Sequence, residues 1–177
     1  MSLPLPASSN LMRPVLPSHG TATVKSVLSG DTVVLTGKPP SPGAKAPVVI
    51  FTFERVTAPR MASKVNGNID DPGAFPAREW LRRTCVGKTV EFETRKQGAT
   101  AGDRVYGLLF MPSTTEQEVE EEEEAKINLA VEAVRQGFAT PKVFGPETEA
   151  TDDVPLEEGD PVVEYERALQ AALQEAK

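Results

Sequence analysis

Carboxylates and cations lie in a suggestive order along this chain. Asp31 ends the segment Leu28-Ser29-Gly30-Asp31, which separates two β-prone runs at 23–27 and 32–36. A turn that short makes the pair a hairpin and puts one carboxylate at its tip. Such a group can offer oxygen to a hard cation such as Ca²⁺. It can equally be a turn residue, because Gly-Asp is common where hairpins reverse. Metal-assisted cleavage of a phosphodiester would ask for more: further carboxylates on the metal, a carboxylate to activate water, and paired cations for the developing charge. Glu54 and Asp103 are further carboxylates that could stand in, and Glu54, two residues from Thr52 on one strand, shares its face. Arg55, Arg60, Lys64, Arg78, Arg82, Arg83 and Lys88, with Arg104 further on, could form a phosphate-binding patch. The bland reading is a solvated helix face plus loop charges, and it is favoured because aromatic partners for base stacking are few. Phe51, Phe53, Phe92 and Trp80 read as core, Cys85 as an inert buried thiol, and His19 as a tail residue with no evident partner.

The balance of charge splits the chain. Residues 1–110 carry 14 Lys and Arg against 8 acids, whereas residues 111–177 carry 5 against 18, giving a net of −7. A basic half can face phosphate; an acidic half repels it. The single cysteine cannot form an internal disulfide, which points to a reducing, intracellular compartment, the cytoplasm and also the nucleus. No apolar run approaches the roughly 20 residues of a bilayer crossing, so no membrane partner is expected. The Pro-broken N-terminus does not read as a signal peptide.

Several elements must position these groups. Residues 1–20 are rich in Pro and Ser and read as a flexible tail, with order expected from about Thr21. Residues 48–56 are a third strand. Residues 57–73 form a long loop that leads to a helix over 74–85, whose inner face is Ala77, Trp80, Leu81, Thr84 and Cys85. Gly87 stops it. Strands follow at 89–94 and 105–111. Acidic loops are expected at 113–126 and 145–161; the run 116–124 is either a solubilising insertion or a nucleic-acid mimic that docks a basic partner or shields the basic face. Between them Ile127, Ala130, Val131 and Val134 mark a second helix, and Val162, Tyr165, Leu169, Ala172, Leu173 and Ala176 a third. Three strands, a helix, two strands and two helices describe a mainly β fold with α: a five-stranded OB-type barrel with three helices, in one domain over 21–177.

Five segments carry a resemblance in the correct order: VKSVLSGDTVVL (24–35), FTFERVTAPR (51–60), FPAREWLRRTCVGKTVEFE (75–93), DRVYGLLF (103–110) and NLAVEAVRQGFA (128–139). Together they resemble the staphylococcal nuclease family over most of residues 21–177. The run PGAFPAREWLRR (72–83) is similar to the repeats of Tudor-SN proteins, which join several nuclease-like repeats to a Tudor domain. The N-terminal Met and Pro-rich leader point to the first such repeat, and the end at Lys177 to a boundary within a longer chain.

The resemblance implies a Ca²⁺-dependent phosphodiesterase centre, taken here position by position. The first metal carboxylate falls on Asp31. The first phosphate-clamping Arg falls on Thr52, the second metal carboxylate on Thr57 and the general base on Arg60. Ala58 could still offer a backbone carbonyl. The second Arg falls on Leu108, or on Gly107 with a shifted gap, while Arg104 is near in sequence. One of five side chains survives, so Asp31 is expected as a vestigial metal position, with no cofactor beyond weak Ca²⁺. The expected function is a catalytically degenerate repeat that binds RNA or serves as a scaffold in RNA silencing, RNA stability or transcriptional co-activation. Its expected partners are RNA, proteins of RNA-regulatory complexes and further repeats. The alternatives are an active Ca²⁺-dependent nuclease with shifted ligands around Asp31 and Glu54, and a protein-docking repeat without nucleic-acid affinity.

Overall fold

A computed structural model describes residues 16–97, 104–112, 126–142 and 161–176. The elements are β1 (His19–Ser29), β2 (Thr32–Thr36), β3 (Val48–Phe53), β4 (Val56–Thr57), a 3₁₀ turn (Lys64–Asn66), α1 (Ala74–Cys85), β5 (Thr89–Gln97), β6 (Arg104–Pro112), β7 (Lys126–Asn128), α2 (Leu129–Arg135), β8 (Thr140–Pro141) and α3 (Pro161–Glu175). The tail to residue 15, Asp103, the acidic run 116–124 and nearly all of 145–161 lie outside the described residues.

Strands run in the order β3-β2-β1-β5-β6 and close into a barrel through a parallel β3–β6 pairing, while β7 extends the end of β6. Closure removes the free sheet edges. The fold is therefore the expected OB-type barrel with three α-helices among the described residues. Alternation along each strand sends Phe51, Phe53, Val33, Val90 and Leu109 into the core, all with 1% exposure or less. Each such side chain contributes about 1.5–3 kcal/mol by leaving water. Phe51 and Phe92 meet edge to face, ring centres 6.4 Å apart at 57°. Between β5 and β6 there is no space for a side chain at Gly107: a Cβ there would stand 2.0 Å from the Glu93 carbonyl oxygen.

α1 lies along β1 and buries Ala74, Ala77, Leu81 and Cys85. Trp80 and Thr84 are only half-buried. Trp80 stacks on Phe138 with ring centres 5.3 Å apart, and the Thr84 hydroxyl donates to the Trp80 carbonyl. The helix begins beside the β1–β2 turn, where a Cβ on Gly30 would come within 2.8 Å of the Ala77 Cβ. α3 packs on α2 and anchors to the end of β3: the Tyr165 hydroxyl donates to the Glu54 carbonyl at 2.8 Å, and Glu166 pairs with Arg55.

Four local features differ from the expectations. β1 starts at His19, whose exposed ring lies 3.2 Å from the Ser18 hydroxyl, and Leu16 packs against the core, so ordered chain begins before Thr21. The third strand stops at Phe53 because Arg55 adopts a left-handed backbone (φ 56°). Beyond that bend, β4 pairs with β8 rather than continuing the barrel. Ile127 belongs to β7, not to the face of α2, which starts after Asn128. The Asn128 side chain caps that helix by accepting from the Ala130 and Val131 amides.

Candidate functional site

The β1–β2 turn holds Asp31 where the sequence places it, and every contact of its carboxylate is local or structural. Oδ1 accepts from the Ser29 hydroxyl (2.6 Å) and the Thr32 hydroxyl (3.0 Å), while Oδ2 accepts from the Ala58 amide (3.1 Å). The Asp31 carbonyl accepts from the Phe53 amide at 2.8 Å. One residue thus ties the hairpin tip to the end of β3 and to the loop after β4. Thr52 stands beside it, buried, with its hydroxyl 3.2 Å from that of Thr32. Two small hydroxyls fill this position, and neither supplies the charged planar fork that clamps phosphate.

Thr57 and Arg60 are both exposed and line one open cleft of about 460 Å³, together with Ala58, Asp71, Phe138 and Thr140. The loop that carries Arg60 is braced from below. The Arg60 amide donates to Asp71 Oδ2 at 3.0 Å, the Asp71 amide to the Arg60 carbonyl at 2.9 Å, and the Ala62 amide to Asp70 Oδ1 at 2.5 Å. Leu108 is a core residue with 4% exposure. The parallel register pairs Thr52 with Tyr106, so the neighbour of Thr52 on β6 is a half-buried phenol. Sequence reasoning passed over Tyr106. The available signal was β-pairing register, which no spacing along one strand can supply.

Ca²⁺ is the ion the resemblance implies, and the residues present do not fit it. Such a cation takes six to eight oxygen ligands, several of them carboxylate. Both Asp31 oxygens already accept hydrogen bonds from protein donors, and among the described residues no group of three or more His, Cys, Asp or Glu converges as a metal cluster. Glu54, the alternative ligand, has one buried carboxylate oxygen without a hydrogen-bond partner among the described residues. Its backbone is fixed by a bond to the Gly107 carbonyl and another from Tyr165.

The cations do not form one patch. Arg55 pairs with Glu166 under α3. Arg78 donates to the Val27 carbonyl at 3.2 Å. Arg82 and Arg83 both hold Glu79, at 2.7 and 2.9 Å. Hydrogen bonds from Arg82 and then Arg83 pull the Glu79 carboxyl down to about 2, and the same contact raises Arg82. Lys88 lies just past the C-terminal end of α1, and Arg60 and Lys64 belong to the loop before its N-terminus, so the length of the helix, about 18 Å for 12 residues, intervenes. Arg104 is on β6, backbone-paired with Ile50. Cys85 is fully buried, which pushes its thiol up to about 12, well outside the reactive range.

Barrel, hairpin carboxylate and flanking helices define a staphylococcal nuclease-like domain of OB type. No family model matches the chain. Among curated proteins it is similar to Ribonuclease TUDOR 1 of Arabidopsis thaliana, 35% identical over 88 residues, half of this chain and 9% of that protein. It is likewise similar to Ribonuclease TUDOR 2 of the same plant, 34% identical over 88 residues. Staphylococcal nuclease domain-containing protein 1 of Drosophila melanogaster is 31% identical over 121 residues, 66% of this chain and 12% of that protein. The chain therefore carries a nuclease-like domain related to those of Tudor-SN proteins, and it spans about a tenth of the length of the curated relatives it matches.

Proposed function

We propose that this domain binds nucleic acid or serves as a scaffold without cutting, as one repeat of a longer, RNA-regulatory protein of the Tudor-SN kind. The observation that carries this reading is the Asp31 carboxylate, whose two oxygens hold the hairpin and the loop after β4 together. Beside it Thr52 stands where a phosphate clamp would be needed. Electrostatic stabilisation of the transition state would have to come from charges placed at the phosphate in advance, and the groups around Asp31 are hydroxyls and amides.

Binding needs less. On β6 the exposed Arg104 and the half-buried Tyr106 alternate onto one face, and the backbone partner of Tyr106 on β5 is Lys96. A base stacked on an aromatic ring gains about 1–3 kcal/mol, and each cation on phosphate adds salt-dependent affinity. Single-stranded RNA is the substrate class that suits such a face, since its unstacked bases are free to meet the ring. The relatives' printed names, two of them ribonucleases, support an RNA setting; RNA silencing, RNA stability and transcriptional co-activation in cytoplasm and nucleus are roles in keeping with it. A titration of labelled single-stranded RNA at low and moderate salt tests the reading. Arg104→Ala and Tyr106→Ala should each weaken binding about tenfold, the effect of roughly 1.4 kcal/mol. No binding at low salt would leave a protein-docking repeat. One observation favours an active centre instead: the unpartnered Glu54 oxygen. Metal-dependent cleavage lost in Glu54→Gln would establish that alternative.

A further inference from the structure

We propose that the groove between the β6–β7 hairpin and the α2–α3 pair docks a basic, amphipathic segment of a partner protein. The groove measures about 600 Å³. Its apolar lining includes Leu108, Phe110, Ile127, Val131 and Tyr165. Ile127 is 39% exposed, although it sits on a strand directly between two packed elements. An apolar floor open to water favours a ligand with apolar side chains of its own.

The charges around this floor specify the rest of that ligand. Glu93, Glu132 and Glu164 line it against Lys126 and Arg135, and both cations are already matched. Lys126 pairs with Glu91 at 2.7 Å, and Arg135 with Glu132 and Glu175 at 2.6 Å each. The surplus is negative. Covalent connection adds to it. Residues 113–125 carry seven Glu and no cation, and residues 143–160 carry four Glu and three Asp and no cation. These two stretches rejoin the described chain at Lys126 and Pro161, and both of those residues line the groove. Fourteen carboxylates are therefore tethered at the edge of one apolar surface. Opposite charge steers encounter and apolar contact holds the complex. Nucleic acid and anionic membranes would be repelled from this face. A helix or strand with Leu, Ile or Val on one side and Lys or Arg on the other satisfies both features.

The test uses a labelled synthetic peptide of alternating Leu and Lys in helical spacing, with a Leu/Glu peptide of the same pattern as control, added to the whole chain. Fluorescence anisotropy should report binding of the Leu/Lys peptide that weakens as salt rises, and none of the Leu/Glu peptide. Amide shift changes should gather on β7, α2 and α3. Ile127→Glu, at a position exposed enough to fold normally, should weaken binding about tenfold, as for loss of a central apolar contact. Glu164→Lys should weaken it at least threefold. A variant with Gln for every Glu from 116 to 124 separates the sources of affinity. If it alone loses binding while Ile127→Glu keeps it, the attraction is diffuse and the docking groove is refuted. Shift changes spread over the barrel, or no binding of the Leu/Lys peptide, refute it equally.

Discussion

Asp31→Ala separates a structural carboxylate from a metal ligand. In the folded chain the carboxylate accepts three hydrogen bonds, from Ser29, Thr32 and the Ala58 amide. Hydrogen bonds to a charged group contribute about 1.5–3 kcal/mol each in isolation, but these three share one acceptor and are not additive. The two hydroxyls can turn to other acceptors after truncation; the Ala58 amide, on a residue only 8% exposed, cannot do so readily. A loss of about 2–4 kcal/mol in unfolding free energy follows. For a chain of this size that lowers Tm by about 5–12 °C. Asp31→Asn keeps an acceptor but loses the charge, and should cost about 1–2 kcal/mol. Urea unfolding followed by circular dichroism is the assay, with unchanged m-values as the sign that only stability moved. A cost below about 0.5 kcal/mol for Asp31→Ala would refute the structural role, since that is the level of an ordinary surface substitution. A rise in wild-type Tm on adding Ca²⁺ that Asp31→Ala abolishes would refute it differently, because only a bound ligand stabilises by mass action.

Three further outcomes can be checked. Gly107→Ala should destabilise by about 3 kcal/mol in the same unfolding assay, because its Cβ would meet the Glu93 carbonyl at 2.0 Å and β5 must shift; a near-neutral result would mean that the barrel has slack there. Glu79 has a depressed carboxyl, at about 2 against an ordinary 4.5. Its contribution to stability is therefore present above the ordinary value and lost as pH falls towards 2. Carboxyl NMR titration should show Glu79 still charged at pH 3, and Glu79→Gln should remove the acid sensitivity arising from this group. Cys85, with its thiol near 12, should stay unmodified by iodoacetamide at pH 8 in the folded chain and react fully once unfolded.

The sequence was most informative where one local signal dominates. The turn Leu28–Asp31 between two β-branched runs was enough to place the β1–β2 hairpin and Asp31 at its tip. The apolar spacing of Ala77, Leu81 and Cys85, closed by Gly87, gave α1 with the boundaries found. What escaped depends on pairing at a distance. β4 and β8 are two residues each and exist because Val56 and Thr57 meet Pro141 and Thr140 across the chain. Nothing local marked Arg55 as left-handed, since a non-glycine residue seldom adopts that conformation. Ile127 fits helical spacing with Val131 and Val134, yet Asn128 caps the helix one residue later and leaves Ile127 on β7. At the site, the identities at 31, 52, 57 and 60 were readable, whereas the Ala58 amide on Asp31 and the Thr52–Tyr106 register were not, because both depend on barrel closure. The patch of cations was a list in sequence; folding places Glu79 and Glu166 among its members and divides it.

Cleavage of labelled single-stranded RNA and DNA by the purified chain, in excess Ca²⁺ and again with a chelator, tests the central claim most directly when run beside a binding titration over salt. A non-cutting module leaves the strands intact in both conditions and, if it grips phosphate, binds them less tightly as salt rises. Ca²⁺-dependent cutting that disappears in Asp31→Ala would contradict the account and return Asp31 to a metal.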